Sequence, residues 1–101
     1  MSSPDDANPA SLSLAPVLDL KAATPLAEAL LALRGRELAI DASGVERLGA
    51  QCLQVLLSAR NTWAEDGVGF GVTDPSGPFI ETLALLGAPY PTFFERAELA
   101  A

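Results

Sequence analysis

The chain has no histidine and a single cysteine, Cys52. The commonest general base and metal ligand is therefore missing, and no internal disulfide can form, which fits a reducing, cytoplasmic setting. Basic residues are also scarce: six Lys and Arg stand against 13 Asp and Glu, a formal net charge of −7. Phosphate backbones and anionic lipid surfaces repel such a chain, so nucleic acid and membranes are poor candidates for partners. No apolar run approaches the roughly 18 residues of a membrane span, and the polar, acidic start from Met1 to Pro9 lacks the basic and apolar regions of a secretory signal. The expectation is a protein neither exported nor inserted.

What is there suits one core. Half of the 101 residues are hydrophobic and 19% are charged, fewer than the roughly 25% of an average soluble protein. Residues 1–10, rich in Ser, Pro, Asp and Asn, read as a disordered lead-in, residues 11–88 as the domain, and residues 89–101 as a C-terminal tail in which Tyr90, Phe93 and Phe94 can pack on the body. Leu12, Leu14, Val17, Leu18 and Leu20 suggest a first strand that Pro16 confines to an edge or breaks. Thr24 followed by Pro25 reads as a helix cap and first turn, with Leu26, Ala29, Leu30 and Leu33 on one stripe and Gly35 as the stop. Glu37 to Asp41 suits a central strand covered on both faces.

After a loop from Ala42 to about Gly49, apolar residues at Cys52, Leu56, Ala59 and Trp63 predict the longest helix, from Ala50 to Asp66, ended by Gly67. Val68, Phe70 and Val72 alternate as a strand does. Asp74 with Pro75 then reads as the cap of a last helix, which carries Phe79, Leu83 and Leu86 on its buried stripe and stops at Gly87. Strands alternating with helices in a chain of this length predict an α/β domain.

Three residue sets invite a chemical reading. Gly67, Gly69 and Gly71 alternate, but a phosphate-binding turn needs a strand before it and a helix after it, and here that order is reversed. Cys52 would be a nucleophile of lowered pKa if exposed at its helix start; its place on the apolar stripe favours a buried thiol, and no histidine exists to activate it. Asp41, Asp66 and Asp74 stand at element ends where they could share a magnesium ion, yet each has a local duty as turn former or cap. Glu46 and Arg47 read as a solvated loop pair. No catalytic residue, metal or cofactor is assigned.

Two stretches carry a resemblance. DASGVERLGAQCLQVLL, Asp41 to Leu57, and VTDPSGPFIETLALLGA, Val72 to Ala88, resemble the STAS family of anti-sigma-factor antagonists and relatives. Asp41, Ser43, Gly44 and Val45 match its D-x-S-G-V loop, and Leu53, Val55, Leu56 and Leu57 its L-x-x-L-L helix. The turn between them departs: where the family carries D-S-S/T-G, this chain has Gly49, Ala50, Gln51 and Cys52. The phosphoacceptor position is thus Gln51, which cannot take a phosphate. The resemblance implies a small mixed β-sheet with helices mainly on one face, and a partner-binding surface at Ser43, Gly49, Ala50, Gln51 and Gln54, where small Gly49 and Ala50 would admit a partner's backbone. It also implies a non-enzymatic regulatory module of bacterial signalling that docks, without phosphoswitching, on an ATP-binding anti-sigma or chemotaxis-type histidine kinase. The alternatives are the small cytoplasmic subunit of a lipid-transport ATPase and a small ligand-binding protein.

Overall fold

A computed structural model describes residues 10–88; the expected lead-in over residues 1–9 and the tail with Tyr90, Phe93 and Phe94 lie outside them. The described elements are β1 (Ala10–Ser13), β2 (Val17–Leu18), α1 (Ala23–Ala32), β3 (Leu38–Asp41), β4 (Arg47–Leu48), α2 (Ala50–Asp66), β5 (Phe70–Thr73) and α3 (Gly77–Leu85), with a 3-10 turn at Leu20–Ala22 before α1. The α/β class stands.

Strands β1, β3 and β5 form one sheet with β3 in the centre, and β2 pairs with β4 in a separate two-stranded piece. All three described pairings are parallel, so the mixed sheet implied by the resemblance is a parallel one among the described residues. Parallel neighbours need crossover connections, which α1 and α2 supply. The break after Ser13 is where Pro16 was expected to interrupt the first strand. Pro16 then serves the chain differently: its carbonyl accepts the N–H groups of Glu46 and Arg47 at 2.7 and 3.1 Å, turning part of the expected loop into β4.

Register puts Ala10, Leu12, Leu38, Ile40, Phe70 and Val72 on one face of the sheet. Leu38 and Ile40 are wholly buried there, and the Trp63 ring of α2 lies 5.7 Å from that of Phe70. The opposite face carries Ser11, Ser13, Ala39, Asp41, Gly71 and Thr73, of which the two serines are exposed and Ala39 and Asp41 half-buried. Among the described residues β3 is therefore central with one face closely covered and the other, where Gly71 is buried but Ala39 and Asp41 are half-buried, covered only in part, which corrects the expectation of burial on both.

Helix α2 has the predicted bounds, with Cys52, Leu53, Leu56, Ala59 and Trp63 buried. Gly67 follows at φ +72°, a left-handed stop that a side chain would strain. The other two helix starts differ from expectation. Asp19, not Thr24, caps the 3-10 turn by accepting the Ala22 N–H, and Thr24 lies inside α1 with no role at its start. Ser76, not Asp74, caps α3, with Pro78 in its first turn. Asp74 instead takes the left-handed conformation at φ +50°. Of the α3 stripe, Phe79 and Leu83 are fully buried, whereas Leu86 is 45% exposed. Each fully buried Leu or Phe contributes about 1.5–3 kcal/mol, and these side chains fasten the helices to one face of the sheet.

Candidate functional site

β3 delivers Asp41 to the end of the sheet where α2 begins. The Ser43 N–H donates to Asp41 Oδ1 at 2.9 Å. This bond, aided by the Ser43 hydroxyl, holds the Asp41 carboxyl below the usual carboxylate range. Ser43 is exposed, and its described hydrogen bond runs back to Asp41 rather than to the helix start. From there the chain is pinned from two sides, by Pro16 as above and by Ser76, whose N–H donates to the Ala42 carbonyl at 3.1 Å and whose hydroxyl donates to the Val45 carbonyl at 2.6 Å. β4 then leads directly into α2 at a fixed angle.

Gly49 is the N-cap of α2 and offers no side-chain oxygen to the helix's first N–H groups. Its own N–H donates to the Leu18 carbonyl at 2.8 Å. A Cβ built on Gly49 would stand 3.2 Å from that same carbonyl oxygen. The smallness expected to admit a partner's backbone is thus used by the protein's own β2. Gly49→Ala should cost on the order of 1 kcal/mol through overpacking against a carbonyl that cannot retreat without lengthening its hydrogen bond; urea unfolding checks it, and unchanged stability would show that β2 gives way freely.

Cys52 is fully buried and its Sγ donates to the Asp19 carbonyl at 3.4 Å. Burial, with the Asp19 charge nearby, pushes its thiol pKa up, so this is a packing residue with an inert thiol. Asp66 pairs with Arg34, Nε to Oδ2 at 2.9 Å, and the guanidinium holds the Asp66 carboxyl below its ordinary range. Asp41 and Asp66 are thus engaged separately, and no cluster of three or more metal-ligating side chains occurs among the described residues.

Ala50, Gln51 and Gln54 are exposed on the first turns of α2. Gln51 and Gln54 also line an open groove of about 370 Å³ between α1 and α2, whose other walls include Leu30, Leu31, Val55 and Trp63. The helices lie side by side in the same sense, tied at one end by Cys52 to Asp19 and at the other by Arg34 to Asp66. Leu31 stands 67% exposed on the rim. Sequence reasoning missed this α1 wall, although Leu31 carried a signal: it is a leucine lying off the helix's buried stripe.

A parallel sheet under helices, with an uncharged groove beside a helix start, defines a small α/β binding domain. Among the described residues no helix is long and apolar enough to cross a membrane. The family model described as "Mlab, STAS domain" matches residues 2–89, and the chain belongs to the STAS domain family. No curated protein matches the chain, and neither does any solved structure. Domains of this family are general regulatory or binding modules.

Proposed function

We propose that the chain is a non-enzymatic docking module that engages an ATP-binding protein in the cytoplasm through the start of α2, with no phosphoswitch at that position. The observation that carries this reading is the place of Gln51 and Gln54. Gln51, assigned to a partner surface by its position in the family's phosphorylation turn, and Gln54, assigned by its place at the start of the helix that follows, are both exposed and line the groove. With Gln51 where relatives carry a hydroxyl, docking is constitutive. The partner is a kinase of the anti-sigma or chemotaxis type in bacterial signalling. A second reading keeps the same face and makes the partner a lipid-transport ATPase, of which this chain is the small subunit. It is favoured by the family description, which singles out Mlab rather than the anti-sigma-factor antagonists.

Gln51→Asp separates docking from folding. A carboxylate in the first turn interacts favourably with the helix dipole, so stability should be unchanged or slightly raised. The same charge enters the docking face without a partner group placed to meet it, and affinity should fall at least tenfold, about 1.4 kcal/mol. A pull-down with the purified domain, wild type against Gln51→Asp, read by quantitative mass spectrometry, should retain an ATP-binding protein on the wild type alone. Equal retention by both would remove this face from the proposal.

A further inference from the structure

Building on the docking reading, we infer that the groove between α1 and α2 receives an α-helix of the partner through an apolar, uncharged stripe about three turns long. The α2 wall runs from Gln51 to Thr62, twelve residues whose eleven steps span roughly 16 Å at 1.5 Å per residue. Along it Gln51, Gln54, Ser58 and Thr62 recur at spacings of three and four, so amides and hydroxyls form one row beside an apolar floor that includes Leu30, Val55 and Trp63.

Charge narrows the occupant. Among the described residues that line the groove none is charged, in a chain with six Lys and Arg and 13 Asp and Glu. Glu28 of α1 is exposed but does not line the groove, and beyond Trp63 the charges of Arg34 and Asp66 satisfy each other. A charged stripe on the occupant would lose its hydration and find no counter-ion, at a cost that an apolar stripe avoids.

Backbone chemistry narrows it further. Both walls are helices whose backbone groups bond internally, so the groove has no strand edge to pair with. An extended peptide would bury unpaired N–H and C=O groups there, whereas a helix arrives with its own already satisfied. A small apolar molecule needs neither, but such ligands sit where 70–90% of their surface is covered. This groove is open along one side, with Leu31 two-thirds exposed on its rim. The exposed Leu31 is placed as the knob that packs between successive turns of the incoming helix.

The test uses the full chain in its native cells, with a photo-crosslinking benzoylphenylalanine at position 31 and, in a second strain, at position 54, both exposed. Crosslinked peptides from both positions should map to one segment of a second protein whose sequence carries uncharged apolar residues at helical spacing over about eleven residues. Leu31→Glu should then weaken the complex with that protein at least tenfold while leaving the urea unfolding midpoint unchanged. Crosslinks to another copy of this chain, to an extended or charged segment, to a small molecule, or none at all would overturn the inference. Loss of partner binding in Gln51→Asp combined with any of those outcomes leaves the docking face standing and removes the helix; retention of binding in Gln51→Asp removes the face itself.

Discussion

Trp63→Ala should destabilise the domain by about 3–5 kcal/mol, enough to unfold much of a population whose total stability falls in the usual range of roughly 5–15 kcal/mol. Trp63 is 2% exposed and touches three parts of the fold at once. Its ring packs against Phe70 of the sheet, its edge lines the groove beside α1, and its indole N–H donates to the Arg36 carbonyl at 2.7 Å. That last bond fixes the chain between α1 and β3. Truncation leaves a cavity that helices fastened at both ends cannot close by sliding together. Trp63→Phe keeps an aromatic ring against Phe70 but drops the donor to Arg36 and some volume, and should cost only about 1–2 kcal/mol. Trp63 is the sole tryptophan, so unfolding of the variants is followed by circular dichroism in urea rather than by fluorescence. A Trp63→Ala loss below about 1 kcal/mol would show that α1 and α2 collapse onto each other and are not locked.

Much of this scaffold is visible in the chain because its signals are local. Helix α2 has its predicted ends since one apolar stripe covers its whole length and Gly67 can adopt the left-handed stop in which it is found. β3 lies in the centre, as expected from its short apolar run, although that run also suggests cover on both faces. The misplaced caps have a common cause. Thr24–Pro25 and Asp74–Pro75 both imitate a cap followed by a first helical proline, but the side chains that do the capping are Asp19 and Ser76. Ser76 is additionally held by a carbonyl 31 positions upstream, a contact that no local spacing discloses. β4 escaped for the same reason, being two residues long and dependent on the Pro16 carbonyl.

The candidate site divides in the same way. Gln51 was singled out because an amide stands where a hydroxyl belongs, and Gln54 because it lies at the start of the helix that follows; the structure leaves both accessible. Gly49 was singled out for its size, but whether that size serves a partner or the fold depended on where Leu18 lies. The α1 wall needed tertiary information throughout: Leu30 counted as a stripe residue and Leu31 fell outside the stripe, and only the two helices lying side by side bring both to one groove.

Ser76→Ala should cost about 2–4 kcal/mol, more than a helix cap alone contributes, because one hydroxyl performs two tasks. Its oxygen accepts the Phe79 N–H at 3.1 Å, a capping bond for which alanine replacement typically costs about 1 kcal/mol. Its proton goes to the carbonyl of Val45, a residue only 1% exposed, and a buried acceptor left without its donor costs about 1–3 kcal/mol. Ser76→Asp separates the two tasks. A carboxylate caps as well as a hydroxyl, but it has no proton for Val45 and places charge against that carbonyl oxygen. Ser76→Asp should therefore be no more stable than Ser76→Ala in urea unfolding, and wild-type stability in the aspartate variant would show that the Val45 bond contributes nothing. The functional consequence runs through the same bond. With Val45 released, the segment leading through β4 into Gly49 keeps its backbone bonds to the Pro16 and Leu18 carbonyls and the one from the Ser76 N–H to Ala42. It loses its side-chain tie to the start of α3, so the angle at which α2 presents Gln51 is held less firmly. Ser76→Asp should thus also bind the partner more weakly at temperatures where it remains folded, although Ser76 lies outside the proposed docking face.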